Sequence, residues 1–225
     1  MRIELVIFDC DGVLVDSEPI ANRVLAEQLH RIGVALPVSE VMRRFVGKTR
    51  DQCLALAAEI RGSALPLQFG AEWDAALFDA LRKEVKPVAG VPEVLRDLAI
   101  PYCVASNGMP DRVRVTLESA GVLQYFDDRV FTSSEVTHPK PAPDLFLHAA
   151  ASMRASPAAC VVIEDTPTGV KAARTAGMRV LGYIGGSASD AAALERNGAV
   201  IFDDMSRLPG LLQQHERRSD FPWSS

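Results

Sequence analysis

Apolar and polar positions follow two rhythms along this chain. Five short segments are apolar with few interruptions: residues 3–8 (IELVIF), 102–106 (YCVAS), 129–133 (RVFTS), 160–164 (CVVIE) and 179–184 (RVLGYI). Each is too short for a typical helix, and they read as strands covered on both faces, as in a parallel sheet. Helical patterns separate the later segments, over 110–121, 143–153 and 167–177, and Gly121 and Gly177 stand where C-terminal caps belong. Strand–helix alternation of this kind predicts an α/β fold with a doubly wound parallel sheet.

One stretch breaks the alternation. Between residues 17 and 86 there is no strand pattern, and 18–33, 39–47, 49–62 and 71–85 all read as amphipathic helices. Val24, Leu25, Leu29 and Ile32 recur at helical spacing, and Trp73 and Phe78 are expected in the core of this module. The expected organisation is a core domain of residues 1–16 and 87–225, interrupted by a helical module over 17–86 that ends near Pro87 and Gly90. Residues 215–225 have no clear period and are expected to form a mobile tail, in which Trp223 has no evident role.

Composition narrows the class. With 225 residues, 48% of them hydrophobic, the chain can bury a sizeable core. A net charge of −5 argues against a general nucleic-acid binder. The N-terminus lacks the apolar length of a signal peptide, and no run approaches the ~18 apolar residues of a membrane span. Cys10, Cys53, Cys103 and Cys160 are scattered, with no CxxC pair, which fits a reducing cytoplasm better than a zinc site or disulfide framework. His30, His138, His148 and His215 show no pairing at metal-ligand spacing. A monomer or weak homo-oligomer is expected, since no interface helix stands out.

The candidate chemistry lies where the strands end, because ligands of open α/β sheets bind beyond the carboxyl ends of the strands. The first strand runs into VIFDCDGVLVDSE, which places Asp9 and Asp11 one residue apart at the mouth of the core, with Asp16 and Glu18 soon after. The second is followed by Ser106, Asn107 and Gly108, the third by a proline-flanked Lys140, and the fourth by Glu164, Asp165 and Thr166. Burying like charges side by side is costly, so something must offset it. A divalent cation would neutralise Asp9, Asp11 and Asp165, with Lys140 adding positive charge, and all-oxygen ligands favour Mg2+ over zinc. The set suits phosphoryl transfer: Asp9 as nucleophile, Asp11 as acid and base, Lys140 and the metal stabilising the phosphoryl oxygens, and Ser106 binding another of them, with Asn107 beside it. Each residue also has a plainer reading. Asp9, Asp11 and Asp165 could be caps or turn residues, Ser106 and Asn107 a strand-end turn, Lys140 a solvated loop lysine and Cys10 a packed small side chain.

DCDGVLVDSE, SNG, the lysine of HPKPAPD and EDTPTGVKAARTAG, in this order from Asp9 to Gly177, resemble the four motifs of the haloacid dehalogenase superfamily. The helical insert resembles the cap of its β-phosphoglucomutase-like branch. The resemblance implies a Rossmann-like core and an aspartyl-phosphate on Asp9. It implies Mg2+ held by the Asp9 side chain, the Asp11 main-chain carbonyl and Asp165, with Glu164 as ligand or support. FDCDGVLVDSE, VASNG, KPAPDLFLHAA and VIEDTPTGV are further similar to sugar-phosphate phosphatases, with 6-phosphogluconate the first candidate substrate. Lys48 and Arg50, in GKTRDQ at a helix start, are candidate substrate contacts on a cap expected to close over a small phosphorylated metabolite. Three alternatives stand beside phosphatase. A phosphosugar mutase is weakened by Ala21 and Asn22 standing where that branch carries a histidine. A metal-free dehalogenase is opposed by Asp11 and Asp165. The third is a non-catalytic phosphometabolite-binding protein.

Overall fold

Strand β1 (Leu5–Phe8) is wholly buried and forms the middle of the molecule's sheet. The computed structural model describes residues 2–46, 48–186 and 189–217, with side chains as far as residue 214. Hydrogen bonds join β1 on one side to β2 (Tyr102–Ser106) and on the other to β4 (Cys160–Glu164); β3 (Val130–Thr132) lies beyond β2, and β5 (Arg179–Tyr183) then β6 (Val200–Phe202) lie beyond β4. All five pairings are parallel and the strand order is β3-β2-β1-β4-β5-β6. This is the α/β, Rossmann-like doubly wound sheet that the apolar runs predict. The chain leaves β1 toward β2 and β4 toward β5, so the topology reverses between β1 and β4, and a crevice opens beyond their carboxyl ends.

Both faces of the sheet are covered. Leu5, Ile7, Cys103, Ala105 and Val162 pack with Leu145, Phe146 and Ala149 of α7 (Asp144–Ser152) and Val170 and Ala173 of α8 (Pro167–Thr175). The alternate residues Val6, Phe8, Val104, Val161 and Ile163 are buried as well. A central strand with no polar face must be apolar throughout, which explains the uninterrupted runs. The sequence pattern does not mark β6, a three-residue edge strand with Val200 and Ile201 only half-buried. It also misses α5 (Val91–Asp97) and α9 (Ala191–Arg196), which are too short to show a period. Helix α10 (Leu208–Arg217) carries regular backbone into the stretch expected to be a tail, and the remainder of that stretch, with Trp223, lies outside the described residues.

The chain divides into two compact units, Met1–Asp16 with Lys86–Ser225, and Ser17–Val85. The second unit is wholly helical: α1 (Glu18–Arg31), α2 (Val38–Phe45), α3 (Arg50–Arg61) and α4 (Phe69–Glu84). Helix α1 packs on α2 and α4. It buries Val24, Leu25 and Leu29, and α4 buries Phe69, Trp73, Leu77 and Leu81, spaced by four so that one stripe faces inward. Ile32 falls at the C-cap of α1 and is half-buried, as is Phe78, whose ring lies 5.9 Å under the Arg82 guanidinium instead of in the core. Among the described residues no helix is long and apolar enough to cross a membrane.

Candidate active site

Asp9 follows β1 directly, and its backbone N–H donates to Ile163 O of β4 at 2.9 Å, which fixes the carboxylate at the point where the sheet reverses. Lys140, on the loop before α7, reaches the same point. Its Nζ donates to Asp9 Oδ1 at 2.6 Å, to Glu164 Oε1 at 2.9 Å and to Ala105 O at 2.8 Å. All three ammonium protons are used, and the charge also lies 4.5 Å from the centre of the Phe146 ring. Asp9, Lys140 and Glu164 are 8%, 5% and 1% exposed, so these are interior ion pairs and not surface ones.

The loop that carries Lys140 is held from β2. Asn107 Nδ2 donates to Lys140 O and Lys140 N donates to Asn107 Oδ1, both at 3.0 Å. Asn107, expected beside substrate, thus spends its amide on fixing the lysine backbone. Ser106, buried at the end of β2, accepts from Gly108 N at 3.0 Å.

Glu164 is committed on both oxygens. Oε1 accepts from Lys140, and Oε2 accepts from Thr166 N and Thr166 Oγ1, each at 2.8 Å. Thr166 Oγ1 in turn accepts from Gly169 N at 3.1 Å as the cap of α8. The Glu164 carboxylate lies so close over Gly169 that a Cβ built there would stand 1.7 Å from Oε1. Asp165 packs in the same manner on the loop after β1: its Oδ2 is 2.0 Å from where a Cβ on Gly12 would be. Gly12 turns that loop with φ +81°, a conformation L side chains rarely adopt.

Asp11 is half-exposed, and its Oδ1 lies 3.3 Å from Arg112 Nη2. Arg112 belongs to none of the four motifs. It stands 101 residues away, in the first turn of α6 (Pro110–Ser119), and the one local signal is a cation at a helix N-terminus, where the dipole disfavours it. Cys10 is buried, and burial foremost, then Asp11 and Asp9, pushes its thiol well above the ordinary range. Lys48 and Arg50 belong to the helical unit. Lys48 is exposed, Gly47 of the same motif lies outside the described residues, and the Arg50 guanidinium is gripped by Asp74 of α4, at 2.9 Å from Nε and 2.7 Å from Nη2.

Burial foremost pushes the Asp9 carboxyl up to about 7, against the pull of Lys140, with Glu164 adding to the rise. Lys140 is raised although burial alone would lower it, because Asp9 and Glu164 outweigh burial. Two buried carboxylates, Asp9 and Glu164, share the buried Lys140 ammonium, and Asp165, also buried, follows Glu164 directly. Among the described residues no three His, Cys, Asp or Glu side chains form a ready metal cluster. Glu164, already committed to Lys140 and Thr166, fits a supporting place better than a ligand's. Were a hard divalent cation such as Mg2+ bound here, the oxygen donors of Asp9, Asp165 and the Asp11 main chain would hold it.

A parallel sheet with paired acids after its first strand, a buried lysine from a later loop and an acidic pair after its fourth defines a class of hydrolase. The chain belongs to the haloacid dehalogenase-like hydrolase family, whose model matches residues 3–177. It is 33% identical over 184 residues to the 6-phosphogluconate phosphatase of Escherichia coli (strain K12), a match covering 80% of this chain and 81% of that protein. It is 31% identical to a phosphorylated carbohydrates phosphatase of Thermotoga maritima, over 94% of this chain and 99% of that one. The structure is similar to that of a HAD family hydrolase from Deinococcus radiodurans R1 with bound phosphate and sodium, with a TM-score of 0.82, 30% identity, and coverage of 98% and 99% of the two chains.

Proposed function

We propose that this chain, a phosphoric monoester hydrolase, is a Mg2+-dependent phosphatase of a small phosphorylated metabolite. A sugar or sugar-acid phosphate is the substrate class, with 6-phosphogluconate first to be tried. One observation carries the reading: the Lys140 ammonium, buried between Asp9 and Glu164, holds a cation against the carboxylate that would be phosphorylated. In the proposed reaction an Asp9 oxygen attacks phosphorus, the ester P–O bond breaks, and Asp11 gives its proton to the departing alkoxide. A water then loses a proton to Asp11 and attacks phosphorus, and the Asp9–phosphorus bond breaks to return the carboxylate and free phosphate. Lys140 and the Ser106 hydroxyl support the negative phosphoryl oxygens. Mg2+, when bound, supplies the further positive charge that keeps Asp9 ionised and nucleophilic.

Lys48 and Arg50 are proposed to read the rest of the substrate, Lys48 foremost, since Arg50 already serves Asp74. The cytoplasm is proposed as the place of work, in keeping with four free buried cysteines. Phosphate release across a panel of phosphorylated metabolites, with and without Mg2+ and with Asp9→Asn beside it, tests the reading. Metal-dependent release that is lost in Asp9→Asn is expected. Full release by Asp9→Asn refutes the mechanism, and interconversion of glucose phosphates without release moves the chain to the mutases.

A further inference from the structure

We propose that Arg112 is the positioning residue of Asp11, holding its carboxylate in the plane from which the proton reaches the leaving group. The inference rests on the reading of Asp11 as acid and base given above.

Three observations lead there. The contact is specific: Arg112 Nη2 meets Asp11 Oδ1 at 3.3 Å across 101 residues of sequence, joining the loop after β1 to the first turn of α6, the helix that follows the adjacent strand β2. The placement runs against local preference, because a cation in the first turn opposes the helix dipole, and a broken local rule marks a residue kept for another reason. The pair is also ill-suited to a stabilising role. The two side chains are 32% and 25% exposed, and ion pairs of that kind contribute little to folding. Asp11 precedes the glycine turn at Gly12, and the planar Arg112 guanidinium adds a directed contact to one of its carboxylate oxygens.

The consequence falls on one bond. When the P–O(ester) bond breaks toward an alkoxide, the oxygen needs the Asp11 proton. When it breaks toward p-nitrophenolate, the anion leaves with the electron pair and needs no proton. Loss of a positioning residue therefore slows alkyl phosphates selectively, whereas loss of general structure or phosphate binding slows both substrates alike. The comparison is made in kcat/KM, which reports steps only through departure of the leaving group.

The test uses the full chain with Mg2+ and two substrates, p-nitrophenyl phosphate and the best alkyl phosphate from the panel. General acid catalysis supplies about 10²–10⁴-fold, so Arg112→Ala is expected to lower kcat/KM for the alkyl phosphate by at least about tenfold. The value for p-nitrophenyl phosphate is expected to change by less than about threefold, since no proton transfer is at stake there. The alkyl-phosphate loss is expected in kcat and not in KM, with Arg112→Lys restoring most of it. Arg112→Gln keeps length and polarity and serves as the second variant should the alanine protein fold poorly. Equal losses on both substrates, or no loss on either, overturn the inference while leaving the phosphatase reading intact. Asp11→Asn is the reference: it must show the same selectivity in stronger form, and if it shows none, the assignment of Asp11 falls and the inference falls with it.

Discussion

Gly12→Ala adds a single methyl group at a crowded turn of the proposed active site, and two separate costs follow. Gly12 has φ +81°, and placing an L side chain in the left-handed region costs about 1–2 kcal/mol. The new Cβ would also stand 2.0 Å from Asp165 Oδ2 and 2.8 Å from its Cγ. Asp165 is 4% exposed, and its short side chain follows directly on β4, so it cannot swing away as a surface lysine would. Overpacking of this kind adds about 1–3 kcal/mol. The sum, about 2–5 kcal/mol, predicts a fall in Tm of about 4–20 °C for a chain of this size. Gly121→Ala is the internal control: its φ is +72°, yet nothing lies within 4 Å of the added Cβ, so only the first cost applies. Thermal melts of the two variants separate contact from strain. Because Asp165 is displaced from its place against the Asp11 loop, phosphate release by Gly12→Ala is expected to fall at least about 100-fold, while Gly121→Ala keeps the parent rate. Equal melting losses in the two variants, with Gly12→Ala still active within about twofold, would refute the reasoning that Asp165 is held against this turn.

Three further expectations follow from buried groups. Lys140→Met keeps an unbranched apolar stem of similar length but removes the ammonium from Asp9, Glu164 and the Phe146 ring; breaking a buried pair costs about 3–5 kcal/mol, so urea unfolding should shift strongly and phosphate release should vanish, whereas an unshifted midpoint would count against an interior ion pair. Burial foremost pushes the Cys160 thiol up to about 11 from an ordinary value near 9.0. The folded chain thus holds that proton where the unfolded chain gives it up, so this contribution to stability is present below pH 9 and declines as pH rises toward 11. Urea midpoints compared at both ends of that interval should fall in the parent and fall less in Cys160→Ala, where the raised Cys10 and Cys103 thiols still contribute. Iodoacetamide should label none of the four thiols until the chain unfolds.

The parts of this molecule that are readable from its sequence share a physical cause. Strands β1, β2 and β4 are buried on both faces, so their apolar runs cannot be interrupted, and any acid that follows them stands out. The doubly wound sheet follows from that pattern, and so does the choice of Asp9, Lys140 and Glu164, which the fold brings within 3 Å of one another through the lysine. What the sequence hides is pairing across distance. Nothing local says that the Arg112 side chain meets Asp11, or that the Asn107 amide clasps the Lys140 backbone. Glu164 shows the same limit: its spacing marks an acid at a strand end, and only the hydrogen bonds to Lys140 and Thr166 favour a supporting place. Edge strand β6 is three residues long and buries only Phe202 fully, too short a pattern to separate it from a loop.

The hydrogen bonds running from Lys140 through Glu164 and Thr166 to Gly169 tie the proposed reactive-centre cation to the opening turn of a helix. The first turn of α8 cannot fray without loosening the carboxylate that steadies the lysine, and the lysine cannot withdraw without uncapping the helix. Helix ends are ordinarily the first amides to exchange with solvent. Here the amides of Thr166 and Gly169 should exchange as slowly as those of the central strands, and an anion that draws Lys140 away from Glu164 should quicken them. Occupancy of the phosphoryl site would then be legible from the exchange rate of a helix cap, without any turnover taking place.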